Sequence, residues 1–240
     1  MKTIVLPDLH GESLWSDILI KESFDQVVLL GDYLDNSKGI NGKQELINLR
    51  NIIKLKESYP EQVFLLLGNH EYHYTKAAMK LGERSPRYQA DLAGQFREVL
   101  EEYGQLFQMA YKYEEYLFSH SGVTCSWLNK YSGSWQVSSI DKAVNEIWSE
   151  NPEAFRLTKE GLENGWGDDI YQSPIWVRPY SLKSDAKPIE TEIIQVVGHT
   201  PQEKLEVMES GNQRYYFTDT FKSSREYLVI DNGIVSIGRF

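Results

Sequence analysis

Apolar residues along this chain come in short unbroken runs, and several of the runs lead into a glycine, an aspartate or a histidine. The run at 3–6 leads into Pro7, Asp8, Leu9, His10 and Gly11, and the run at 26–30 into Gly31, Asp32, Tyr33, Leu34 and Asp35. Residues 63–67 lead into Gly68, Asn69, His70 and Glu71, and residues 116–118 into Ser119, His120, Ser121 and Gly122. The last such run, 193–197, meets Gly198, His199 and Thr200. Leu-rich and β-branched runs without polar alternation predict strands covered on both faces. Between them the period changes. Residues 13–21 place Leu14, Ile18 and Leu19 at helical spacing, with Ser13 as the candidate cap. Residues 44–57 give a broad apolar face from Leu46, Ile47, Leu49, Ile52, Ile53 and Leu55.

Strand and helix in alternation predict an α/β fold with right-handed crossovers. Toward the C-terminus, stretches 215–218, 226–230 and 234–237 read as strands with short turns, one at Asp231, Asn232 and Gly233. The sheet system is therefore expected to be mixed, parallel early and antiparallel late. Two segments interrupt the pattern. Residues 75–113 are mostly helical in composition and contain Arg84, Arg87 and Arg97. Residues 126–190 are rich in Trp, Gly, Ser and Pro, with Pro174, Pro179 and Pro188 near the end. Both are expected to pack over the core of a single domain, 1–240, and to shape access to a site. The tryptophans Trp127, Trp135, Trp148, Trp166 and Trp176 are expected mainly to pack.

Composition narrows the class of function. With 240 residues, 41% hydrophobic and 12% aromatic, the chain can bury a substantial core. A formal charge of −10 argues against a general nucleic-acid binder, which needs clustered Lys and Arg. No apolar stretch approaches the length of a membrane span. The one cysteine, Cys125, allows no intrachain disulfide and follows an apolar run; a small buried residue in a reducing, cytoplasmic compartment is the expected reading.

The strand ends carry the chemistry. In α/β sheets ligands bind beyond the carboxyl ends of strands. The residues expected there are Asp8 and His10, Asp32 and Asp35, Asn69 and His70, His120, and His199. Carboxylates, imidazoles and one amide suit divalent metals such as Mn, Fe and Zn. Four of the five histidines occupy such positions; the fifth, His73, falls after the third motif, is a candidate helix-surface residue and is assigned no role. Asp8 and His10, two apart, point to the same side and can reach one metal together.

The ordered set DLHG, GDYLD, GNHE, HSG and GHT, spanning residues 8–200, resembles the calcineurin-like metallophosphoesterases, in the forms of the serine/threonine phosphoprotein phosphatase branch. The resemblance implies a four-layer αββα sandwich, a mixed sheet system flanked by helices, and two divalent metal ions per chain, Mn with Fe or Zn as alternatives. It implies that Asp8 and His10 bind the first metal, that Asp32 bridges both, and that Asn69, His120 and His199 complete the second. His70 would protonate the leaving group, oriented by Asp35. Physical chemistry points the same way. Two cations roughly 3.5–4 Å apart acidify a bridging water and clamp phosphoryl oxygens for in-line attack, so no protein nucleophile is needed. The implied partner is a phosphorylated protein or a small phosphate ester.

The pattern departs from the branch at one place. An Arg follows the second-motif aspartate in that branch, whereas Asn36 and Ser37 follow Asp35 here. Asn cannot imitate a bidentate guanidinium. Arg178, within Pro174–Pro179, is the candidate replacement for gripping phosphate, with Arg84 and Arg87 weaker candidates. Asp168 and Asp169 read as a solvated turn. Cleavage of a dinucleoside polyphosphate or a cyclic nucleotide on the same metal core is the alternative activity. A non-catalytic binding module is disfavoured because every motif residue is present, and a nuclease because the final motif is GHT.

Overall fold

The computed structural model describes residues 1–36, 39, 41–159, 167–185, 193–210 and 213–240. Trp166, Pro188 and Ser37 lie outside the described residues.

Two sheets face each other. The first has six strands in the order β11-β10-β1-β2-β3-β4. Here β1 is Lys2–Leu6, β2 Gln26–Leu29, β3 Val63–Leu66, β4 Phe107–Gln108, β10 Glu226–Asp231 and β11 Ile234–Arg239. β1 to β4 run parallel, while β10 pairs antiparallel with β1 and with β11. The second sheet has the order β5-β6-β7-β9-β8, built from Ala110–Tyr113, Tyr116–Ser119, Ile193–Val197, Gln213–Phe217 and Glu206–Ser210 in that spatial order. Its centre, β6-β7-β9, is parallel and both of its edges are antiparallel. Each sheet is mixed, so parallel and antiparallel pairs do not divide by position along the chain as expected.

The unbroken apolar runs follow from this layering. Alternate residues of a strand point to opposite faces, and both faces are dry. Val5, Val28 and Leu66 point inward and pack between the sheets with Phe118, Ile194, Val196 and Tyr216. Ile4, Leu6, Val27, Leu29, Val63 and Leu65 point outward onto helices α1 (Leu14–Lys21) and α2 (Gly42–Ser58), meeting Trp15, Ile18, Leu49, Ile52 and Ile53. The outer face of the second sheet presents Val197, Tyr215 and Phe217 to Val177 and Leu182. The result is the four-layer αββα arrangement. Each fully buried Leu, Ile or Val stabilises it by roughly 1.5–3 kcal/mol.

Local expectations were met with instructive exceptions. Ser13 precedes α1, but its side chain makes no capping bond; its carbonyl instead accepts from Ser16 N at 3.1 Å. Asn41 caps α2, its side chain accepting from Lys43 N at 2.8 Å. Segment 75–113 is helical at first, with α3 (Lys76–Leu81) and α4 (Ala93–Glu102), but its end supplies β4 and β5 to different sheets. Only Met109 separates those two strands. The Asn145 side chain fixes that crossing, accepting from Met109 N at 2.7 Å and Ala110 N at 3.2 Å and donating to Ala110 O at 2.8 Å. His73 is buried against Trp176, with ring centroids 5.6 Å apart, so it is not a surface residue. Cys125 is buried, as expected.

Candidate metal centre and active site

The C-terminal ends of β1, β2 and β3 open at one edge of the first sheet, and those of β6 and β7 open beside them. His120 Nδ1 lies 2.9 Å from Leu30 O, and His199 N donates to Asp8 Oδ1 at 2.9 Å, tying the two sheets together there. Asp8, His10, Asp32, Asn69, His70, His120 and His199 are thereby gathered at a single edge, and all are buried.

The backbone is bent to reach this geometry. His10, Asp32, Asp35 and His199 have φ of 43°, 52°, 62° and 65°, a region that side chains other than glycine rarely adopt. Strain of this kind persists only where the surroundings over-determine it. Glu71 supplies part of that determination. It is fully buried, and its carboxylate accepts from Asp32 N and Tyr33 N at 2.8 Å and from Leu34 N and Gly68 N at 3.1 Å. Burial, with Asp32 adding to it, raises the Glu71 pKa to about 8, against the pull of those N–H donors. Glu45 does the same one turn later, accepting from Asp35 N at 2.8 Å and Asn36 N at 3.1 Å. We expect Glu71→Gln to lower stability by about 2 kcal/mol, because an amide nitrogen cannot accept and leaves buried N–H groups unpaired. Urea denaturation checks this, and a loss under about 0.5 kcal/mol would rule out the clamp.

Glycine serves close approach here. A Cβ at Gly68 would lie 2.2 Å from Asp32 Oδ1, and one at Gly198 would lie 2.2 Å from Asp8 Oδ1. The glycines of GNHE and GHT therefore leave room for two carboxylates of the site.

The donor set divides in two around Asp32. Its Oδ2 lies 3.7 Å from His10 Nε2, while its Oδ1 lies 3.5 Å from His120 Nε2. Beyond Oδ1, Asn69 Oδ1 is 2.9 Å from both His120 Nε2 and His199 Nδ1, which are 3.2 Å apart. His10 Nδ1 donates to Leu34 O at 2.8 Å, and His120 Nδ1 donates to Leu30 O. A carbonyl can only accept, so the Nε2 of each ring carries a lone pair facing the site. Lone pairs of His120 and Asn69 thus converge with no proton of their own to share, a conflict that a bound cation relieves. The donors fit divalent metal ions. Two triplets of possible ligand atoms, His10/Asp32/His70 and Asp8/Asp32/His120, each lie within 4.8 Å, and they share Asp32.

Electrostatics agree. Burial, followed by repulsion from His70, lowers the His10 pKa to about 3, and burial likewise lowers His199. The lowered values of His10 and His199 favour the neutral imidazole that ligation requires. Burial and neighbouring Asp8 raise the Asp32 pKa well above its ordinary value.

His70 is placed differently from the others. Its Nδ1 donates to Asp35 Oδ2 at 2.8 Å, which leaves Nε2 pointing toward the cavity, 3.8 Å from Asp32 Oδ2. Asp35 also accepts from Tyr74 OH and from Ser85 Oγ at 2.9 Å.

A cavity of about 430 Å³ lies over these groups. Its walls include Arg178, as expected, and also Arg87, Asp168, Asp219 and Lys222. Asp168 is not a solvated turn: it faces the cavity and accepts from Ser181 N at 3.0 Å. Arg84 instead stacks over Tyr88, 5.2 Å from the ring centroid. Asp219 and Lys222 carried no signal in the sequence, because they follow β9 outside every motif.

The family model described as calcineurin-like phosphoesterase matches residues 1–233. The chain belongs to this family. It is a metal-dependent phosphoesterase, and the two-metal character of the family accords with the donor sets around Asp32. The fold resembles a cold-active protein-tyrosine phosphatase from the psychrophile Shewanella sp., with TM-score 0.63 and 21% identity over 99% of this chain and 77% of that one. It also resembles a protein serine/threonine phosphatase from Saccharomyces cerevisiae, with TM-score 0.59 and 12% identity over 100% of this chain and 80% of that one. At such identities the likeness is one of fold. No curated protein matches the chain in sequence. Among the described residues, no helix of this phosphoesterase is long and apolar enough to cross a membrane.

Proposed function

We propose that this phosphoesterase hydrolyses phosphate monoesters in the manner of serine/threonine phosphatases, by direct attack of water and without a phosphoenzyme. Asp8, His10 and Asp32 would hold one cation. Asp32, Asn69, His120 and His199 would hold the other. The observation that carries this reading is the split of Asp32, whose two oxygens address different donor sets. Divalent cations bound there, Mn with Fe or Zn as alternatives, supply charge neutralisation and a water acidic enough to attack at neutral pH. His70, held by Asp35, protonates the departing oxygen from Nε2. His70 stands in one of the possible ligand triplets, but its bond to Asp35 gives it the orientation of a proton donor.

Arg178 grips the phosphoryl oxygens in this proposal. Its Nη1 is tied to His199 O at 3.3 Å and Thr200 Oγ1 at 3.1 Å, while its Nε has no partner among the described residues. The guanidinium is fixed at one corner by these bonds, and the residue lines the cavity. Arg178→Ala should lower kcat/KM on p-nitrophenyl phosphate by about 30-fold, the worth of one charge-assisted contact. Unchanged kinetics would remove Arg178 from the site.

The broad test is a metal-supplemented panel of a phosphopeptide, p-nitrophenyl phosphate, a dinucleoside tetraphosphate and a 2′,3′-cyclic nucleotide. Turnover of the two monoesters is expected. Turnover of the cyclic nucleotide alone would replace the proposal with a diesterase.

A further inference from the structure

We infer that the cavity receives a second anionic group on its leaving-group side, so that the preferred substrates are terminal phosphoanhydrides, in which the expelled group is itself a phosphate ester; this rests on the hydrolytic reading above. The inference starts from where the cations of the cavity stand. Arg178 occupies the flank formed by His199 and Thr200. Arg87 stands at His70 instead: its Nη2 lies 3.1 Å from His70 Nε2, and its Nη1 donates to Asp35 O at 3.0 Å. Lys222 stands at the rim, within electrostatic range of Arg87, His10 and His70. None of the three cations forms an ion pair with a carboxylate among the described residues, although Asp168 and Asp219 line the same cavity.

In-line displacement fixes what these positions mean. The leaving oxygen sits opposite the attacking water and beside the group that protonates it. Arg87 donates to that same Nε2, which holds a lone pair in this contact because a guanidinium can only donate, so the guanidinium stands beside the leaving oxygen once Nε2 has taken up the proton it delivers. An alcohol leaving group offers Arg87 and Lys222 no charge to bind. A second phosphoryl group attached through the leaving oxygen places its own oxygens one atom further out, where a guanidinium fork and an ammonium can both reach them. A carboxylate elsewhere on a phosphopeptide lies many bonds away and does not meet a cation parked on the proton donor. The reaction balances as hydrolysis. The water oxygen bonds to the terminal phosphorus, and the bridging P–O bond breaks with its electron pair left on the departing phosphate. The protons of the water are shared between the two products.

AMP and ADP make a matched pair, because the same nucleoside leaves without or with a phosphate attached. With Mn²⁺ in excess, kcat/KM for removal of the terminal phosphate should be about 30-fold higher on ADP than on AMP. Arg87→Ala and Lys222→Ala should each shrink that ratio by about 10-fold, whereas Arg178→Ala should depress both substrates by similar factors. Equal use of AMP and ADP by the wild-type protein, or equal losses on both in the Arg87 and Lys222 variants, overturns the inference. A variant that fails to fold is replaced by Arg87→Gln. Methylene-bridged ADP gives an independent arm: it should inhibit p-nitrophenyl phosphate hydrolysis with a Ki about 30-fold below that of AMP, and equal Ki values also overturn the inference. Hydrolysis of p-nitrophenyl phosphate without preference for ADP defeats this inference alone. Absence of all hydrolysis defeats the reading beneath it.

Discussion

Replacing His70 by asparagine should lower kcat on a phosphate monoester by about 10³-fold while leaving metal content at the wild-type level. The two halves of that expectation come from different bonds. The catalytic loss follows from Nε2, the only protonatable atom of the ring aimed at the cavity once Nδ1 is committed to Asp35. Retention of metal follows from the neighbouring backbone. His70 N donates to Asp32 Oδ1 at 3.0 Å whatever the side chain, so the carboxylate keeps its position. A substrate with a better leaving group than an alkyl alcohol should lose less, because it needs the proton less. Elemental analysis beside steady-state kinetics decides the matter. Metal lost together with activity would make His70 a ligand.

Asp32→Asn should have the broader effect, emptying both metal positions and removing at least about 10³-fold in kcat/KM, since each cation is worth several kcal/mol to the transition state. The amide keeps the shape of the carboxylate but gives up a negative charge and turns one of the two facing oxygens into a donor. One half of the site would then present an N–H to His10 or to His120, where a lone pair already stands. The folded protein should persist, because Glu71 holds the Asp32 backbone and not its side chain. Purified protein that still carries two metals per chain would contradict the shared role of Asp32.

Much of this architecture could be read from the chain before any coordinates. Strands buried on both faces leave unbroken apolar runs, and the runs ending at Asp8, Asp32, Asn69, His120 and His199 are such strands. Parallel β1, β2 and β3 then had to deliver their ends to the same edge. What escaped reading lacked either length or context. β4 is two residues long, too short for any period, and β8 alternates weakly at a sheet edge. Ser13 looked like a cap, but its side chain is not used as one. Glu71 was in plain view within GNHE, yet its work consists of accepting from a loop 37 to 39 residues away, which no local pattern encodes. Arg87 was legible only as a weaker candidate for gripping phosphate, because it stands in a polar stretch like many surface arginines, and only the return of segment 75–113 over Asp35 brings it to His70.

The passage from β4 to β5 through Met109 has a mechanical consequence. Candidate ligands come from both sheets, so any sliding of one sheet past the other would pull Asn69 away from His120 and His199. A link of a single residue, held by Asn145 at Met109 and at the start of β5, leaves little slack for such sliding. The two layers are riveted at the flank, and the spacing on which cation capture depends is set by that rivet as much as by the ligands themselves.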